Sequence, residues 1–447
     1  MLIQVPEFSL VVLIGCSGSG KSTFAAQHFP EETIVSIESC RKMISARDLD
    51  PLASHDASQL MQTIVSLRLK RRLPTVADAW HLTAEARRPL IELARRYHTR
   101  LVAILFDIPL EECFSHQKID ADSAPSESTL VRQFKSLQNQ RRSLTHEGFH
   151  EIYTLHTFAE IKRAHVSWIK PSFDQRAVQG PFDIIGDVHG CADELIELVE
   201  RLGYQVHETS KGPLVSHPSG RQLVFVGDLV DRGPAIVKVL QLVMNTVRAG
   251  RGWCVIGNHE NKLMRYLSGR KVKISHGLEH TIQQLDVCPQ NFRDELFSFF
   301  SQLSDHLILD EEKLVVVHAG IREEYIGRSS GEIRSFCLYG ETNGELDAYG
   351  LPVRLPWAQN YFGQALVVYG HTPVTEATWV HHTINIDTGC VYGGTLSALR
   401  YPEREVVSVQ AHAAYCAPSR PFRTGLPIPR PVPVRPRNLP LSEKESS

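Results

Sequence analysis

The sequence has no long apolar run, no large excess of either charge and no closely spaced pair of cysteines. None of its 447 residues lies in a run approaching the ~20 apolar residues that cross a bilayer, so we expect no membrane partner. Its 48 lysines and arginines nearly balance 50 aspartates and glutamates, giving a net charge of −2. This balance excludes a protein that attracts nucleic acid through its overall charge, and any such partner must be held by a local site.

The nine cysteines are an odd number, and no two of them form a Cys-x-x-Cys pair. This usage indicates reduced thiols rather than a disulfide framework. The first residues run from an apolar strand into a glycine-rich motif, without the pattern of a signal peptide. The sequence therefore predicts a cytoplasmic protein.

Length and composition divide the chain into three parts. The 447 residues, 42% of them hydrophobic, are enough for two or three domains with packed cores. Motifs and composition predict a first domain over 1–170, a second over 171–415 and a tail over 416–447. The tail is rich in proline and arginine, so we expect it to be disordered. Four roles are open for this tail: a linker remnant, an electrostatic contact for RNA, a ligand for an aromatic groove, or an inert extension.

A glycine-rich motif follows the first strand and precedes a helical pattern. Its spacing, GxxxxGK[ST], is typical of a P-loop, in which backbone N–H groups surround a polyphosphate at a helix N-terminus. We expect Lys21 to reach the β- and γ-phosphates, and Ser22 and Asp78 to act on Mg²⁺. Mg-ATP or Mg-GTP is the predicted ligand. The expected binding residues are Gly15, Cys16, Ser17, Gly18, Ser19, Gly20, Lys21, Ser22, Thr23 and Asp78.

The rest of the first domain alternates strand and helix patterns, which predicts a parallel sheet in an α/β domain. Residues 111–129 are polar and would form a lid over the nucleotide. The predicted strands are 1–16, 32–41, 73–80, 99–109 and 150–157, and the predicted helices include 84–98 and 130–144.

Five short blocks in the second domain each end an apolar run with a polar side chain, which follows a glycine in four of them. They read FDIIGDVHGC, FVGDLVDRGP, VIGNHE, VVHAG and VYGHTP, from positions 182, 225, 255, 316 and 368. The pattern predicts buried strands whose carboxyl ends deliver carboxylate, amide and imidazole groups to one rim, as a site for two Mn, Ni, Fe or Zn ions needs. The alternative is a set of turn residues with satisfied histidines. The candidate ligands are Asp187, His189, Asp228, Asn258, His318 and His371.

These blocks resemble those of the calcineurin-like metallophosphoesterases, and they occur in that family's order. The resemblance implies an α/β domain built on a β-sandwich with flanking helices and a dinuclear metal centre bridged by Asp228. It also implies that Asp231 orients His259, which protonates the leaving oxygen or binds phosphate. Arg232 would grip the phosphate. Glu260 is expected to support the site, Asp387 to line the pocket or fix a turn, and His276 is a candidate contact for the substrate.

Over residues 2–414 the chain resembles the bacterial polynucleotide kinase-phosphatases, without their ligase domain. Further matching stretches include GDVHGCADELIELVERLGY from 186, ISHGLEHT from 274 and YGETNGELDAYGLPVRLPWA from 339. The resemblance implies a 5′-hydroxyl kinase followed by a phosphatase that removes 2′-, 3′- or cyclic phosphates. It implies RNA ends as the partner and leaves room for a separate RNA ligase and a homodimer.

The kinase half departs from that family at two places. The family places an aspartate base in S-x-D-x-x-R, whereas this chain has Glu38, with Arg41 retained. The lid carries few arginines, so proton removal and charge neutralisation are both weakened and we expect slow phosphoryl transfer. The lid side chains that replace arginines are His116, Lys118, Asp120 and Asp122.

Two other functions fit the same residues, because the metal ligands do not choose the substrate. One is a nucleotide or protein phosphatase, such as a dinucleoside-tetraphosphate hydrolase, whose P-loop domain senses nucleotide. The other is a binding module in which the P-loop domain recruits RNA or a partner without chemistry.

Overall fold

The computed structural model of the protein describes residues 1–45, 51–117, 125–420 and 422. In its first half, strands and helices alternate. The elements of this half are β1 (Leu2–Pro6), β2 (Leu10–Gly15), α1 (Lys21–His28), β3 (Ile34–Ser36), α2 (Ile37–Ile44), α3 (Pro51–Lys70), β4 (Thr75–Asp78), α4 (Ala84–Arg96), β5 (Leu101–Phe106), α5 (Leu110–Gln117), α6 (Glu127–Gln140), α7 (Leu144–Glu147), β6 (Glu151–Leu155), α8 (Phe158–Arg163) and β7 (His165–Ile169).

A five-stranded parallel sheet organises this half, in the order β3-β4-β2-β5-β6. Every residue of β2 and β5 is buried. Their sequences are continuous apolar runs, which is typical of parallel strands covered on both faces. The parallel sheet predicted from the alternating patterns is therefore confirmed.

Two predicted strands differ from the structure. The opening strand over 1–16 is divided at Phe8, whose φ of 64° turns the backbone, and β1 pairs with β7 outside the main sheet. The strand predicted over 32–41 ends after three residues and helix α2 begins. Ser36 caps this helix by accepting a hydrogen bond from the Glu38 N–H at 3.2 Å. Serine at that position favours a helix start over continued strand.

The second half carries more strands. Its elements are β8 (Phe182–Ile185), α9 (Ala192–Arg201), β9 (Gln205–Thr209), β10 (Gly212–Ser216), β11 (Gln222–Phe225), α10 (Ile236–Arg248), β12 (Gly252–Cys254), α11 (Asn258–Leu267), α12 (Leu278–Asp286), α13 (Gln290–Gln302), β13 (His306–Leu309), β14 (Leu314–Val317), α14 (Gly331–Tyr339), β15 (Thr342–Leu346), β16 (Pro352–Arg354), β17 (Leu366–Tyr369), β18 (Thr378–Val380), β19 (Thr383–Asn385), β20 (Thr395–Tyr401) and β21 (Glu405–Gln410). No helix in the described ranges is both long enough and apolar enough to cross a membrane.

Two mixed five-stranded sheets form a sandwich in this half. Their orders are β12-β11-β8-β20-β21 and β13-β14-β17-β19-β18. Apolar residues of both sheets, among them Ile184, Val224, Val316 and Val368, form one buried core between them. A second core joins the outer face of the first sheet to helices α9 and α10. The predicted β-sandwich with flanking helices is confirmed.

The topology positions the metal-type residues of the sequence blocks. Strands β8, β11 and β12 run parallel in one sheet, and β14 and β17 run parallel in the other. The polar residue of each block follows the carboxyl end of its strand. Because parallel strands end at the same edge, these residues meet at one rim of the sandwich.

Arginine side chains connect the two halves of the chain. Arg72, just after α3, donates to the Ile326 carbonyl and to Glu312, both at 3.2 Å. Arg328, in the second half, donates to carbonyls of the first half, those of Leu69 at 3.2 Å and Tyr97 at 2.5 Å. The P-loop half is thus held against the sandwich by contacts made from both sides.

The sandwich contains a buried ion pair that sets up a test of its stability. Arg221 donates from Nε and Nη2 to the two oxygens of Asp183, both at 2.9 Å, and Asp183 is fully buried. Breaking a buried pair costs about 3–5 kcal/mol. The lower end, about 3 kcal/mol, applies here because Arg400 at 3.4 Å and the Tyr204 hydroxyl at 2.9 Å still face Asp183. We expect Arg221→Met to lower the free energy of unfolding by that amount in urea denaturation. Lys238→Ala removes an exposed pair with Asp193 and should cost at most about 1 kcal/mol. An equal loss in both variants would contradict this role for Arg221.

Candidate metal centre and catalytic cavity

The predicted metal ligands meet around Asp228. Its carboxylate lies 3.4 Å from His318 Nε2 and 3.6 Å from His189 Nε2, one contact to each oxygen. His318 Nε2 also lies 2.9 Å from Asn258 Oδ1 and 2.9 Å from His371 Nδ1. One carboxylate therefore faces donors from several strand ends, which is the arrangement that a bridging ligand needs.

Asp187 joins this group through a close approach of the backbone. The His371 N–H donates to Asp187 Oδ2 at 3.1 Å. A Cβ at Gly370 would lie 2.0 Å from Asp187 Oδ1, so only glycine permits the approach. The structure thus brings all six candidate ligands to one place.

Hydrogen bonds leave the imidazole rings with lone pairs directed at the centre. His189 Nδ1 donates to the Val230 carbonyl at 2.7 Å, and His318 Nδ1 donates to the Val226 carbonyl at 3.0 Å. Because a carbonyl only accepts, each Nδ1 carries the proton and each Nε2 is unprotonated in the neutral ring. Nε2 of His371 is buried without a hydrogen-bond partner among the described residues. This donor set fits divalent transition metals.

The charges of the centre also favour the binding of divalent cations. Burial raises the pKa values of the Asp187, Asp228 and Asp387 carboxyl groups. Burial also lowers the pKa values of His189 and His318, so protonated imidazoles do not offset the carboxylates. Bound cations would relieve this unfavourable concentration of negative charge.

The backbone is strained where it presents these side chains. His189, Asp228, Asp231, Arg232 and His371 have φ values of 44°, 49°, 72°, 72° and 72°. Side chains disfavour this left-handed region, at about 1–3 kcal/mol per residue. Such strain persists only where surrounding contacts fix the backbone.

Glu260 supplies much of that fixation. Its buried carboxylate accepts hydrogen bonds from four backbone N–H groups at 2.8–3.2 Å. They belong to Asp228, Leu229, Val230 and Gly257. This one side chain therefore connects the loop after β11 to the start of α11, as the supporting role predicted for it requires.

His259 and Arg232 stand beside the metal-type cluster. His259 Nδ1 lies 2.5 Å from Asp231 Oδ2, and Thr281 donates to the other Asp231 oxygen. Arg232 donates from Nη2 to His259 Nε2 at 2.9 Å and from Nη1 to His189 Nε2. The predicted orientation of His259 by Asp231 is present in the structure, and Thr281 is an additional support.

A cavity of about 540 Å³ opens over this centre. Asp387 and His276 line it, and Asp387 also accepts from the Gly389 N–H at 3.1 Å, so it fixes a turn as well. Most other charged groups on its walls are cationic. They are Arg232, Lys262, Arg265, Lys271, Lys273, Arg354 and Arg420.

The first residues of the tail cover part of this cavity. The Phe422 ring lies 5.8 Å from the Tyr392 ring, edge to face, and Arg420 pairs with Asp347 at 3.3 Å. Arg232 lies over the other side of Tyr392, at 5.4 Å from its ring centre. The prediction of disorder for the rest of the tail concerns 421 and 423–447, which lie outside the described residues.

The P-loop of the first half lies where the sequence places it, between β2 and α1. Gly20 takes a left-handed conformation with φ 85° immediately before the helix. Lys21 is buried and donates to the Cys16 carbonyl at 2.6 Å. Asp78, at the end of β4, is buried beside Ser22, and burial raises the pKa of its carboxyl group. These groups form one site at the end of the parallel sheet.

The predicted kinase base and one of the four predicted lid residues lie within the described part of the chain. Glu38 is 60% exposed in the first turn of α2 and pairs with Lys42 at 3.3 Å. Arg41 lies on the same helix, three residues further. His116 stacks on Phe158 with ring centres 4.5 Å apart. The other lid residues, Lys118, Asp120 and Asp122, lie outside the described residues.

Comparison with known proteins identifies both halves. Residues 10–145 match the family model described as an AAA domain, and residues 180–381 match the model described as calcineurin-like phosphoesterase. The asymmetrical bis(5′-nucleosyl)-tetraphosphatase PrpE of Anoxybacillus flavithermus is 46% identical over 246 residues, which cover 54% of this chain and 99% of that protein. This chain belongs to the calcineurin-like phosphoesterase family.

A second relative with the same name, from Halalkalibacterium halodurans, is 49% identical over 232 residues, covering 51% of this phosphoesterase and 93% of that protein. A crystal structure described provisionally as a diadenosine tetraphosphatase is 24% identical with a TM-score of 0.38, covering 53% of this chain and 96% of that one. Calcineurin-like phosphoesterases use a dinuclear metal centre. This phosphoesterase is a metal-dependent hydrolase.

Several cavity residues of this phosphoesterase are not revealed by their residue type, although Tyr339 and Arg354 lie in the matching stretch from 339. Lys271 and Lys273 lie in an exposed segment between α11 and α12, and Arg354 ends β16. Tyr339 ends α14, and its ring lies 6.5 Å from that of His371. Only the fold brings these positions to the metal centre.

The four hydrogen bonds to Glu260 lead to a prediction. In Glu260→Gln one acceptor oxygen becomes an NH₂ group facing backbone donors, so the loop carrying Asp228 should move. We expect metal affinity and hydrolysis of an aryl phosphate to fall about 10- to 100-fold, as for other losses of support around metal ligands. Metal content by elemental analysis and initial rates would measure both. Glu279→Gln, an exposed carboxylate on α12, is the control, and a similar loss there would contradict the assignment.

Proposed function

We propose that the protein hydrolyses dinucleoside polyphosphates, which are two nucleosides joined by a chain of phosphates. The observation that carries this proposal is the cationic wall of the catalytic cavity. Arg265, Lys271 and Lys273 are exposed there, and none of them has an ion-pair partner among the described residues. A chain of phosphates carries a row of negative charges that this wall would neutralise.

The relatives support the same substrate class. The proteins from A. flavithermus and H. halodurans are both named asymmetrical bis(5′-nucleosyl)-tetraphosphatases. Each match covers more than nine-tenths of the relative and about half of this chain. They therefore bear on the phosphoesterase half and leave the P-loop half to be explained separately.

In this proposal, the six residues around Asp228 hold two divalent ions of the Mn, Ni, Fe or Zn type. When bound, such ions polarise a phosphoryl oxygen and ionise a water for in-line attack. Asp228 would be shared between them, with Asp187, His189 and His371 on one side and Asn258 and His318 on the other. The oxygen and nitrogen donors suit borderline cations.

The remaining residues would act on the phosphate and its leaving group. Arg232 lines the cavity with both terminal nitrogens donating to His189 and His259, and in this proposal those N–H groups would turn to the phosphate for bidentate binding. His259 has its Nδ1 proton fixed by Asp231, so Nε2 is the atom that holds or releases a proton at the leaving oxygen. Thr281 keeps Asp231 in place.

The first test measures how much Arg232 and the cationic wall contribute to the hydrolysis of different substrates. The Mn²⁺-loaded protein should hydrolyse diadenosine tetraphosphate, and Arg232→Ala should lower kcat/KM by about 10²–10³, as when one charge-stabilising donor is removed. Its metal content should stay normal, because Arg232 is not a ligand. The double change Lys271→Ala/Lys273→Ala should raise KM for the tetraphosphate more than KM for bis(p-nitrophenyl) phosphate. Lack of hydrolysis of the tetraphosphate beside rapid hydrolysis of a 3′-phosphate RNA would overturn the proposal.

A second candidate is the phosphatase of an RNA end-healing enzyme. The observation in its favour is the P-loop half, which the tetraphosphatase relatives do not explain. In this alternative the cationic wall would meet an RNA backbone, and a separate ligase would use the healed ends. The 3′-phosphate RNA substrate distinguishes the two candidates directly.

The P-loop half leads to a prediction of its own. We propose that it binds Mg-ATP or Mg-GTP through Lys21, whose charged hydrogen bonds to phosphate contribute about 1.5–3 kcal/mol. Lys21→Ala should weaken binding of a fluorescent ATP analogue about 10- to 100-fold, while hydrolysis by the phosphoesterase half is unchanged. Lys42→Ala, on the exposed side of α2, is the matched control. Transfer of labelled phosphate to a 5′-hydroxyl oligonucleotide should be slow, because Glu38 is directed at Lys42.

A further inference from the structure

A second, mainly apolar cavity lies beyond His371, beside the catalytic cavity. Its walls come from several parts of the chain, among them the end of α14, the segment after β16, and strands β17 and β18 with the loop between them. The apolar side chains that line it include Tyr339, Leu355, Pro356, Trp357, Tyr369 and Val380. We refer to this cavity as the aromatic slot.

The aromatic slot adjoins the catalytic cavity. Tyr339, Arg354 and His371 line both of them. Arg354 Nη1 donates to the His371 carbonyl at 3.4 Å and to the Thr372 hydroxyl, which fixes its guanidinium at the junction. A ligand can therefore extend from the slot past a cation to the metal centre.

The inner walls of the slot are rigid. Trp357 Nε1 donates to the Ala319 carbonyl at 3.1 Å, and its ring meets those of Tyr369 and Phe336 edge to face at 4.9 and 6.4 Å. Tyr339 forms the outer wall and is 40% exposed. A flat ligand would thus find one fixed aromatic wall and one accessible aromatic ring.

We propose that the aromatic slot binds the nucleobase of the nucleotide whose phosphate lies at the metal centre. This proposal rests on the proposed function and gives the substrate a direction: the base enters the slot and the remaining phosphates follow the cationic wall. Bases have flat apolar faces that stack on aromatic rings and polar edges that need hydrogen-bond partners. Glu341 lines the slot, and the carboxylate oxygen that does not accept from Arg322 can meet such an edge.

The two walls of the site explain why a base is the favoured occupant. The lining of the slot is aromatic, whereas Lys271 and Lys273 present positive charge in the adjoining catalytic cavity. A nucleoside polyphosphate has the same division between an apolar ring and a polyanionic chain. An aromatic side chain of a phosphoprotein would fill the slot but would leave the cationic wall without a matching group.

The experiment measures competitive inhibition of bis(p-nitrophenyl) phosphate hydrolysis by AMP and by ribose 5-phosphate, which lacks only the base. Inhibition of hydrolysis reports on the phosphoesterase site alone, and a Lys21→Ala background removes AMP binding at the P-loop. AMP should inhibit about 5- to 150-fold more strongly, equivalent to about 1–3 kcal/mol for stacking one base. This ratio does not depend on whether diadenosine tetraphosphate is the natural substrate.

Two variants change the slot without disturbing the buried core. Tyr339→Ala removes the accessible ring, and Leu355→Trp fills the entrance with a side chain at a position that is 39% exposed. Both should bring the ratio of the two inhibition constants close to 1. Tyr349→Ala removes an aromatic ring that is 59% exposed and lines neither cavity, and it should keep the full ratio.

Three outcomes would overturn the proposal. The first is equal inhibition by AMP and ribose 5-phosphate in the unaltered slot. The second is a ratio that survives in both Tyr339→Ala and Leu355→Trp. The third is stronger inhibition by phosphotyrosine than by AMP, which would assign the slot to an aromatic side chain. A full AMP ratio without hydrolysis of diadenosine tetraphosphate would instead uphold the slot and reject the proposed substrate.

Discussion

The catalytic centre depends on one buried carboxylate that accepts hydrogen bonds from the backbone. Glu260 binds N–H groups on two segments, 228–230 and Gly257, and so fixes the left-handed turn that presents Asp228. Without such a contact, the strained backbone would relax and the donors around Asp228 would separate. The candidate metal ligands are therefore held in position by these supporting hydrogen bonds, which matter as much as the ligands themselves.

The general architecture follows from patterns within the sequence. An apolar strand followed by a polar residue of metal-ligand type occurs five times in the second half, four times after a glycine, and parallel strands bring such ends together. The position of Asp187, His318 and His371 at one rim could be predicted for this reason. The course of the first 16 residues could not, because the turn at Phe8 depends on pairing between β1 and β7, which are over 150 residues apart.

The residues around the site likewise divide into those that the sequence could predict and those that it could not. His259, Asp231 and Arg232 lie within recognisable motifs, and the contact between His259 and Asp231 was expected from the family resemblance, whereas the contacts of Arg232 with the histidines were not. Lys271 lies outside the motifs and Tyr339 begins a matching stretch without an assigned role, and both residue types are common on any surface. Their importance comes from the space they enclose, which depends on how the segments after α11 and α14 fold back over the rim.

The connection between the two halves has a consequence for how this protein tolerates change. Arg328 donates to the carbonyls of Leu69, Lys70 and Tyr97, and Arg72 donates to that of Ile326. Because every residue type offers the same carbonyl, substitutions at those four acceptor positions leave the contacts intact provided that the backbone keeps its course. The orientation of the two halves can thus persist while much of the interface diverges in sequence. Substitution of either arginine, by contrast, would remove the hydrogen bonds that it donates across the interface.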